Sequence, residues 1–412
     1  MKIAFFTDTY YPQLNGITIS VDNFSKELRK QGHTVYIFAP KIKKHKRKDV
    51  DLTNLSSIKL LSSESPIYLP MPTSYKEYSK IFRLEFDLIH AHGNGAFSLL
   101  GYQVARMKNI PFVLTFHTLL TKYTHYVFKG RVLKPKMVEA GLRMFANLCD
   151  GIITPSQKMK DELIRYGVKK PIHVIPNFVE KDDKTKIQKN YLYKKVGLQS
   201  DIPIILSVGR LGQEKNFHFV IETFHELVKT DKTSHLVIVG HGAESNDLKK
   251  YATELGISQR VHFTGKINKK YMPSVYADAT LFVFASVSEV HPLVTLEACA
   301  AGLPIIAAKD AAFDGVVVDN YNGYQLPLEK ELFAKKIQLL LEDKSLRRTM
   351  GKQSNKIIER NFPPEHLAEM LIDVYDTVLA VKPRTRTLQR LNSAAVRKLK
   401  QTTRFLDRIF KS

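Results

Sequence analysis

Apolar residues along this chain cluster in short continuous runs instead of alternating with polar ones. In the first half these runs are KIAFF from Lys2, TVYIFAP from Thr34, DLIHAH from Asp87, FVLTFH from Phe112 and GIIT from Gly151. Runs of this kind, bounded by Gly, Pro or polar turns, are strands buried on both faces. An amphipathic stretch after the loop DTYYPQLNGITISV, which contains Gly16, predicts a helix ending near Lys30, and Gly32-His33 then turns the chain into the second strand. The second half repeats the plan, with strands near Ile204, Leu236, Val261, Leu281 and Ile305 and a helix starting near Asn216. Strands alternating with helices through short Gly/Pro turns predict parallel sheets covered on both faces. IPNFVE, at residues 175–180, reads as a crossover into a polar linker around 180–200. The expected divisions are residues 1–178, 179–362, a helix over 363–381 and a tail over 382–412.

Composition bounds the class. At 412 residues there is enough chain for two well-cored domains, and 44% hydrophobic with 25% charged residues is ordinary for a soluble globular protein. Cys149 and Cys299 are the only cysteines and lie in apolar context, so they read as buried thiols, with no disulfide framework and no metal cluster. The amino terminus enters a strand directly, without a signal-peptide pattern. No apolar run approaches the ~20 residues that cross a bilayer. A cytoplasmic protein is expected. The net charge of +23 is unevenly spread: residues 1–178 hold 27 Lys/Arg against 13 Asp/Glu, residues 179–381 hold 26 of each, and residues 382–412 hold 10 against 1. A broad anionic partner for the first domain and the tail follows from that asymmetry.

Two segments carry candidate chemistry. Residues 288–306, SEVHPLVTLEACAAGLPII, place Glu289 and Glu297 across a loop that enters a helix, which Gly302 and Pro304 end. The amides of Leu293 and Val294 near its start, with the positive end of the helix dipole, make a phosphate site. Carboxylates on either side of that phosphate suit the hydroxyls of a sugar and a ribose. Residues 207–216, SVGRLGQEKN, put Arg210 and Lys215 on the loop after a buried strand. Arg as a bidentate fork and Lys as a point charge are matched to a diphosphate, at the strand end where open α/β sheets bind ligands.

With these pieces in place, the chain resembles the retaining nucleotide-sugar glycosyltransferases of family 4 from Lys2 to about Val378. Its E-x7-E (Glu289, Glu297), R-x4-K (Arg210, Lys215) and AxGxP turn match that family's pattern. The resemblance implies the GT-B architecture: two Rossmann-like parallel-sheet domains facing a central cleft, a C-terminal crossover helix packing on the first domain, and here a basic amphipathic tail. It implies a UDP-sugar donor with no cofactor and no metal. Arg210, Lys215 and the Leu293 and Val294 amides would stabilise the departing diphosphate, Glu289 would hold hexose hydroxyls and Glu297 the ribose. Lys266 and Ile267, after VHFTG, complete the expected donor set. Gly16 would let backbone approach the donor phosphate, although the family often has two adjacent glycines there and this chain has Asn15 in place of the first. His117, in TFHT, would contact the hexose near the reacting carbon and joins Arg210, Lys215 and Glu289 as the catalytic set. His90 and His92 are expected to organise the neighbouring loop.

The acceptor side is more particular. His117-Thr118 followed by Tyr123-Thr124-His125-Tyr126 resembles the HT…YxHY pattern of bacterial diacylglycerol glycosyltransferases, with Thr121 and Lys122 where an acidic pair is often found. Tyr123, Tyr126, Lys129 and Arg131 mix aromatics with cations, as a headgroup interface does. In the tail, Leu388, Leu391, Ala395, Leu399, Leu406 and Phe410 recur at helical spacing among Arg and Lys, and KIKKHKRK at 41–48 adds a third basic patch. Each cation near an anionic leaflet contributes roughly 1 kcal/mol. The expectation is therefore a retaining transfer of a hexose, glucose before galactose, from a UDP-sugar to diacylglycerol on the inner face of the membrane. A polyprenyl-linked or soluble cell-envelope glycan as acceptor, a UDP-sugar epimerase, and a nucleic-acid-binding protein are the alternatives. The sequence leaves the hexose, the number of sugars added, the lipid preference and the oligomeric state open.

Overall fold

The buried runs become the central strands of two parallel sheets in a computed structural model that describes residues 1–42, 51–59, 68–71, 75–119, 135–180 and 184–381. Two compact units result, Met1–Asn177 together with the chain from Pro364, and Phe178–Pro363.

The first unit begins β1 (Lys2–Thr7), α1 (Gly16–Lys30), β2 (Thr34–Pro40), β3 (Asp51–Leu55), β4 (Ser57–Lys59) and β5 (Tyr68–Pro70). It continues α2 (Tyr75–Arg83), β6 (Leu88–His92), α3 (Ala96–Lys108), β7 (Phe112–Thr115), α4 (Pro135–Leu148), β8 (Gly151–Thr154), α5 (Gln157–Arg165) and β9 (Ile172–Val174). Seven strands form one sheet in the order β3-β2-β1-β6-β7-β8-β9, parallel throughout, while β4 and β5 pair as a separate antiparallel ribbon.

The second unit opens with α6 (Tyr191–Val196), β10 (Ile204–Val208), α7 (Phe217–Leu227), β11 (His235–Val239), α8 (Ser245–Glu254), β12 (Val261–Gly265) and α9 (Met272–Ala277). After it come β13 (Leu281–Phe284), α10 (Leu293–Ala300), β14 (Ile305–Ala308), β15 (Gly323–Leu326), α11 (Lys330–Glu342) and α12 (Lys344–Asn361). Its sheet runs β12-β11-β10-β13-β14-β15, again all parallel. Phe217, Ile221 and Phe224 of α7 meet Phe333 and Ile337 of α11 in its core. The last helix, α13 (Pro364–Val381), packs on α1 and β8 of the first unit. There Gly151 makes room for it, since a Cβ would lie 3.0 Å from Val378 Cγ1.

Strand order locates the ligand-binding ends. Each sheet reverses direction of winding once, between β1 and β6 in the first unit and between β10 and β13 in the second. At such a switch point the two following loops diverge and leave a crevice at the carboxyl ends of the strands. Gly16 opens the helix after β1, His92 is the last residue of β6, and the loops after β10 and β13 carry Arg210 and Glu289.

Sequence periodicity finds the central strands and the edge strand β12, and it misses the β4–β5 ribbon and three strands of the main sheets, β3, β9 and β15. All three are sheet-edge strands. An edge strand is covered on fewer sides, so DLTNL, IHV and GYQL fold as strands without a continuous apolar run. The expected linker around 180–200 also differs: it contains a short 3-10 turn and α6. Asp278 accepts hydrogen bonds from the amides of Asn190 (3.1 Å) and Leu192 (2.8 Å), and Tyr191 stacks on Tyr271, which builds this segment into the second unit.

Candidate active site

Arg210 and Lys215 lie on the connection from β10 to α7. Gly209 donates to Val239 O (3.0 Å), and the position of a Cβ on Gly240 falls 1.8 Å from Gly209 O, so only glycine, at φ +150°, lets the two loops touch. That contact holds the backbone from which Arg210 projects. Its guanidinium donates to Glu214 Oε1 at 2.6 Å, and the Glu214 side chain is buried. Glu214 also binds the opposite loop, because its carbonyl accepts from Ser286 Oγ (3.1 Å) and Val287 N (3.2 Å) just after β13. Lys215 then forms an ion pair with Glu289 and lies 5.8 Å from the centre of the Phe284 ring.

The result is two cations and two carboxylates across the switch point. The carboxylates of Glu214 and Glu289 are buried and each holds a partly accessible cation in one place. Glu289 leads directly into α10, whose N-cap is Pro292 with no side-chain cap. Leu293 and Val294 occupy the first turn, where backbone N–H groups have no partner within the helix. Glu297, one turn further, accepts from the buried Tyr276 hydroxyl at 2.7 Å. Gly302, at φ +77°, ends the element. His291, between the two acids, is buried, and burial pushes its pKa down to about 4.

Lys266 and Ile267 follow β12, at the sheet edge. Ile267 is buried and Lys266 is exposed. Among the described residues, no hydrogen bond or ion pair joins either to Arg210, Lys215 or Glu289.

In the first unit, Gly16 is the first residue of α1 and not part of the loop before it. Asn15 is the N-cap in extended conformation, φ −151°, and its side chain accepts from Thr18 N (3.0 Å) while donating to Thr9 Oγ1 (2.9 Å). Any residue adopts that backbone, so Asn15 stands in this position as a cap and not as a glycine substitute. His117 follows β7 and is half-buried, with its Nε2 3.2 Å from His92 Nδ1. Although part of its surface is accessible, the surrounding protein is dense enough to push its pKa down to about 4. His90 and His92 are fully buried, and burial holds both well below the ordinary histidine value. All three rings are neutral at pH 7. His90 bonds Tyr375 of α13 and Thr115 of β7 and no loop residue, whereas His92 bonds His117 on the loop after β7. Cys149 and Cys299 are buried free thiols. Among the described residues no three His, Cys, Asp or Glu side chains are grouped as a metal site, and no helix is long and apolar enough to cross a membrane.

Tyr123, Tyr126, Lys129 and Arg131, the basic run at 43–48 and the tail from 382 lie outside the described residues. Sequence reasoning overlooked Glu214 and Tyr276. The first had a signal, an acid four residues after Arg210. The second had none, because Tyr276 meets Glu297 only through the packing of α9 on α10.

Two doubly wound parallel sheets, with a cation–carboxylate cluster at the second switch point, are the architecture expected from the family the sequence resembles. Comparison with known proteins agrees. Residues 189–357 match the family described as Glycosyl transferases group 1, and residues 14–183 match Glycosyltransferase Family 4. The alpha-monoglucosyldiacylglycerol synthase of Streptococcus pneumoniae is 32% identical over 88% of this chain and 83% of its own. The enzyme of the same name from Acholeplasma laidlawii is 29% identical over 81% of this chain and 86% of its own. Among solved structures, HepE of Anabaena in complex with UDP-glucose superposes with a TM-score of 0.71 at 19% identity, covering 92% of this chain and 100% of that one. At that identity the likeness shows the fold, which is GT-B. The chain belongs to the family 4 glycosyltransferases and is an enzyme of glycosyl transfer.

Proposed function

We propose that this enzyme moves glucose from UDP-glucose to a hydroxyl of diacylglycerol, with retention at the anomeric carbon. The observation that carries the donor side is the pair of ion pairs, Arg210–Glu214 and Lys215–Glu289, in the loops that lead to the first turn of α10. In the reaction the bond from the anomeric carbon to the β-phosphate oxygen breaks, and UDP leaves with the electron pair. The acceptor oxygen bonds to the same face of the sugar, and its proton passes to the departing phosphate oxygen. The dominant requirement is to stabilise charge on the diphosphate, and fixed donors do this best because they need no reorganisation during the step. Arg210, Lys215 and the Leu293 and Val294 amides take that role. Glu289 holds hexose hydroxyls, Glu297 the ribose under the control of Tyr276, and His117 the hexose near the reacting carbon.

The names of the two diacylglycerol-acting relatives support the lipid acceptor and glucose. An anionic membrane as the place of work rests on the charge of residues 1–178 and on α4. That helix exposes Met137 (58%), Met144 (68%) and Leu148 (46%) at helical spacing, beside the exposed Lys136 and Arg143. Apolar side chains flanked by cations suit a headgroup surface.

The test is UDP release from UDP-glucose and from UDP-galactose, with and without diacylglycerol in anionic vesicles. Release that depends on the lipid, favours UDP-glucose and yields a glycolipid is the expected result. Slow release indifferent to lipid would retain the donor site and discard the lipid acceptor in favour of an envelope glycan.

A further inference from the structure

Three histidines converge at the carboxyl ends of β6 and β7. His90 and His92 are two residues apart on β6 and therefore share one face of the sheet, with Phe5 of β1 packed edge-on against both rings. The His90 and His92 rings lie 4.1 Å apart, centre to centre, and the His92 and His117 rings 5.4 Å. His90 is anchored at both nitrogens, Nδ1 to the Tyr375 hydroxyl of α13 (2.7 Å) and Nε2 to Thr115 Oγ1 (2.6 Å). Hydroxyls donate or accept equally, so these partners satisfy either tautomer of His90. His92 is different. Its Nδ1 meets His117 Nε2, and its Nε2 is buried without a partner. A cavity of about 10 Å³ adjoins it, lined in part by Ser20, Asn177 and His117, and Ser20 Oγ is likewise buried and unpartnered.

These facts decide where the protons are. Neutral imidazole carries one N–H, so the His92–His117 bond needs the proton on one of its two nitrogens only. If His117 donated, His92 Nε2 would be a buried N–H with no acceptor. If His92 donates, Nε2 is instead a bare acceptor, and in neither case does the Ser20 hydroxyl across the cavity make a hydrogen bond to it. Orphaned buried N–H groups are rarer than under-satisfied acceptors.

We propose that His92 is a positioning residue for His117: it donates from Nδ1 to His117 Nε2, and so fixes the His117 ring and leaves its proton on Nδ1, as the donor available to substrate. His90, tied to Tyr375 and Thr115, holds the His92 ring from behind. The catalytic consequence rests on the reading that His117 meets the sugar. The tautomer assignment does not.

The experiment pairs spectroscopy with kinetics on the full chain. Nitrogen-15 histidine spectra, with His117 assigned by its loss in His117→Gln, are expected to show the Nδ1–H tautomer in the wild type and in His92→Asn, whose amide retains a donor near the Nδ1 position. His92→Phe keeps the ring and its packing without the donor, and there a mixture of His117 tautomers is expected. An Nε2–H tautomer in the wild type, or one unchanged tautomer throughout, overturns the proposal, and the wild-type spectrum decides even where the Phe variant does not fold. In kinetics, His92→Phe is expected to lower kcat by roughly tenfold or more through misplacement of a contacting group. The KM for UDP-sugar is expected to stay within about twofold, with much of kcat recovered in His92→Asn. Equal losses in both variants would make His92 merely structural and overturn the proposal. Full kcat in His117→Ala would instead remove the catalytic reading of His117, with the spectra still judging the positioning.

Discussion

The two units repeat one architecture and furnish their switch points with different electrostatics. At the second, two cations and two carboxylates are locked pairwise, Arg210 with Glu214 and Lys215 with Glu289, in a unit whose residues 179–381 carry no net charge. At the first, in the half with an excess of cations, His90, His92 and His117 are neutral rings held by hydrogen bonds, and the acid at that switch point, Asp8, is bound by the Gly95 and Phe97 amides and by no cation among the described residues. Global charge and site charge are therefore separate quantities. A diphosphate needs fixed positive groups that burial would penalise, and carboxylate partners make them tolerable. Sugar hydroxyls need directed donors and acceptors, which neutral imidazoles supply without the desolvation cost of an ion.

The strongest way to break this comparison is Lys215→Ala. It removes the proposed diphosphate cation and the ion pair that joins it to Glu289. A loss of about 10²–10³ in kcat/KM for the UDP-sugar is expected, as for other pre-placed donors to a developing anion. Steady-state rates near those of the wild type would sink the donor-site assignment.

Acid sharpens the other half. The His117 pKa of about 4 in the folded chain lies below its ordinary 6.5. The unfolded chain thus binds the proton first, the stabilisation is complete above pH 6.5, and it is lost as pH falls towards 4. Over that window the slope is up to about 1.4 kcal/mol per pH unit for each such histidine. His235 and His291 of the second unit, also at about 4, contribute to the whole-chain slope. The contribution of His117 is isolated from those and from His90 and His92 by comparing denaturant midpoints of wild type and His117→Phe from pH 4 to 7. A shallower slope is expected in the variant, and identical slopes would mean that His117 is not buried neutral.

The smallest effect concerns orientation inside the charged site. Tyr276→Phe removes the hydrogen bond to Glu297 and leaves its charge, so a loss of about three- to tenfold in kcat/KM is expected with little change in melting temperature. Unaltered affinity for UDP by calorimetry would show that Glu297 holds its place without the tyrosine.

Much of this was readable in the chain. Continuous apolar runs marked the central strands because a strand between two others in a covered sheet is buried on both faces. The spacing of Arg210 with Lys215, and of Glu289 with Glu297, marked the loops proposed to hold the donor because each pair sits on one short segment after a strand. Edge strands such as IHV escaped for lack of burial, and α6 escaped because its anchors, Asp278 and Tyr271, are more than seventy residues away in sequence.

What the sequence determined by itself is therefore local: buried strands, the turn residues that end them, and motifs whose members sit a few positions apart. Pairings between distant segments were settled only by the tertiary structure. Lys215 meets Glu289, Tyr276 meets Glu297 and Tyr375 meets His90 because strand order and helix packing bring them within hydrogen-bonding distance. The physical reason is that strand and helix formation depend on residue type and near neighbours, whereas a buried polar group depends on whichever partner the completed fold places beside it.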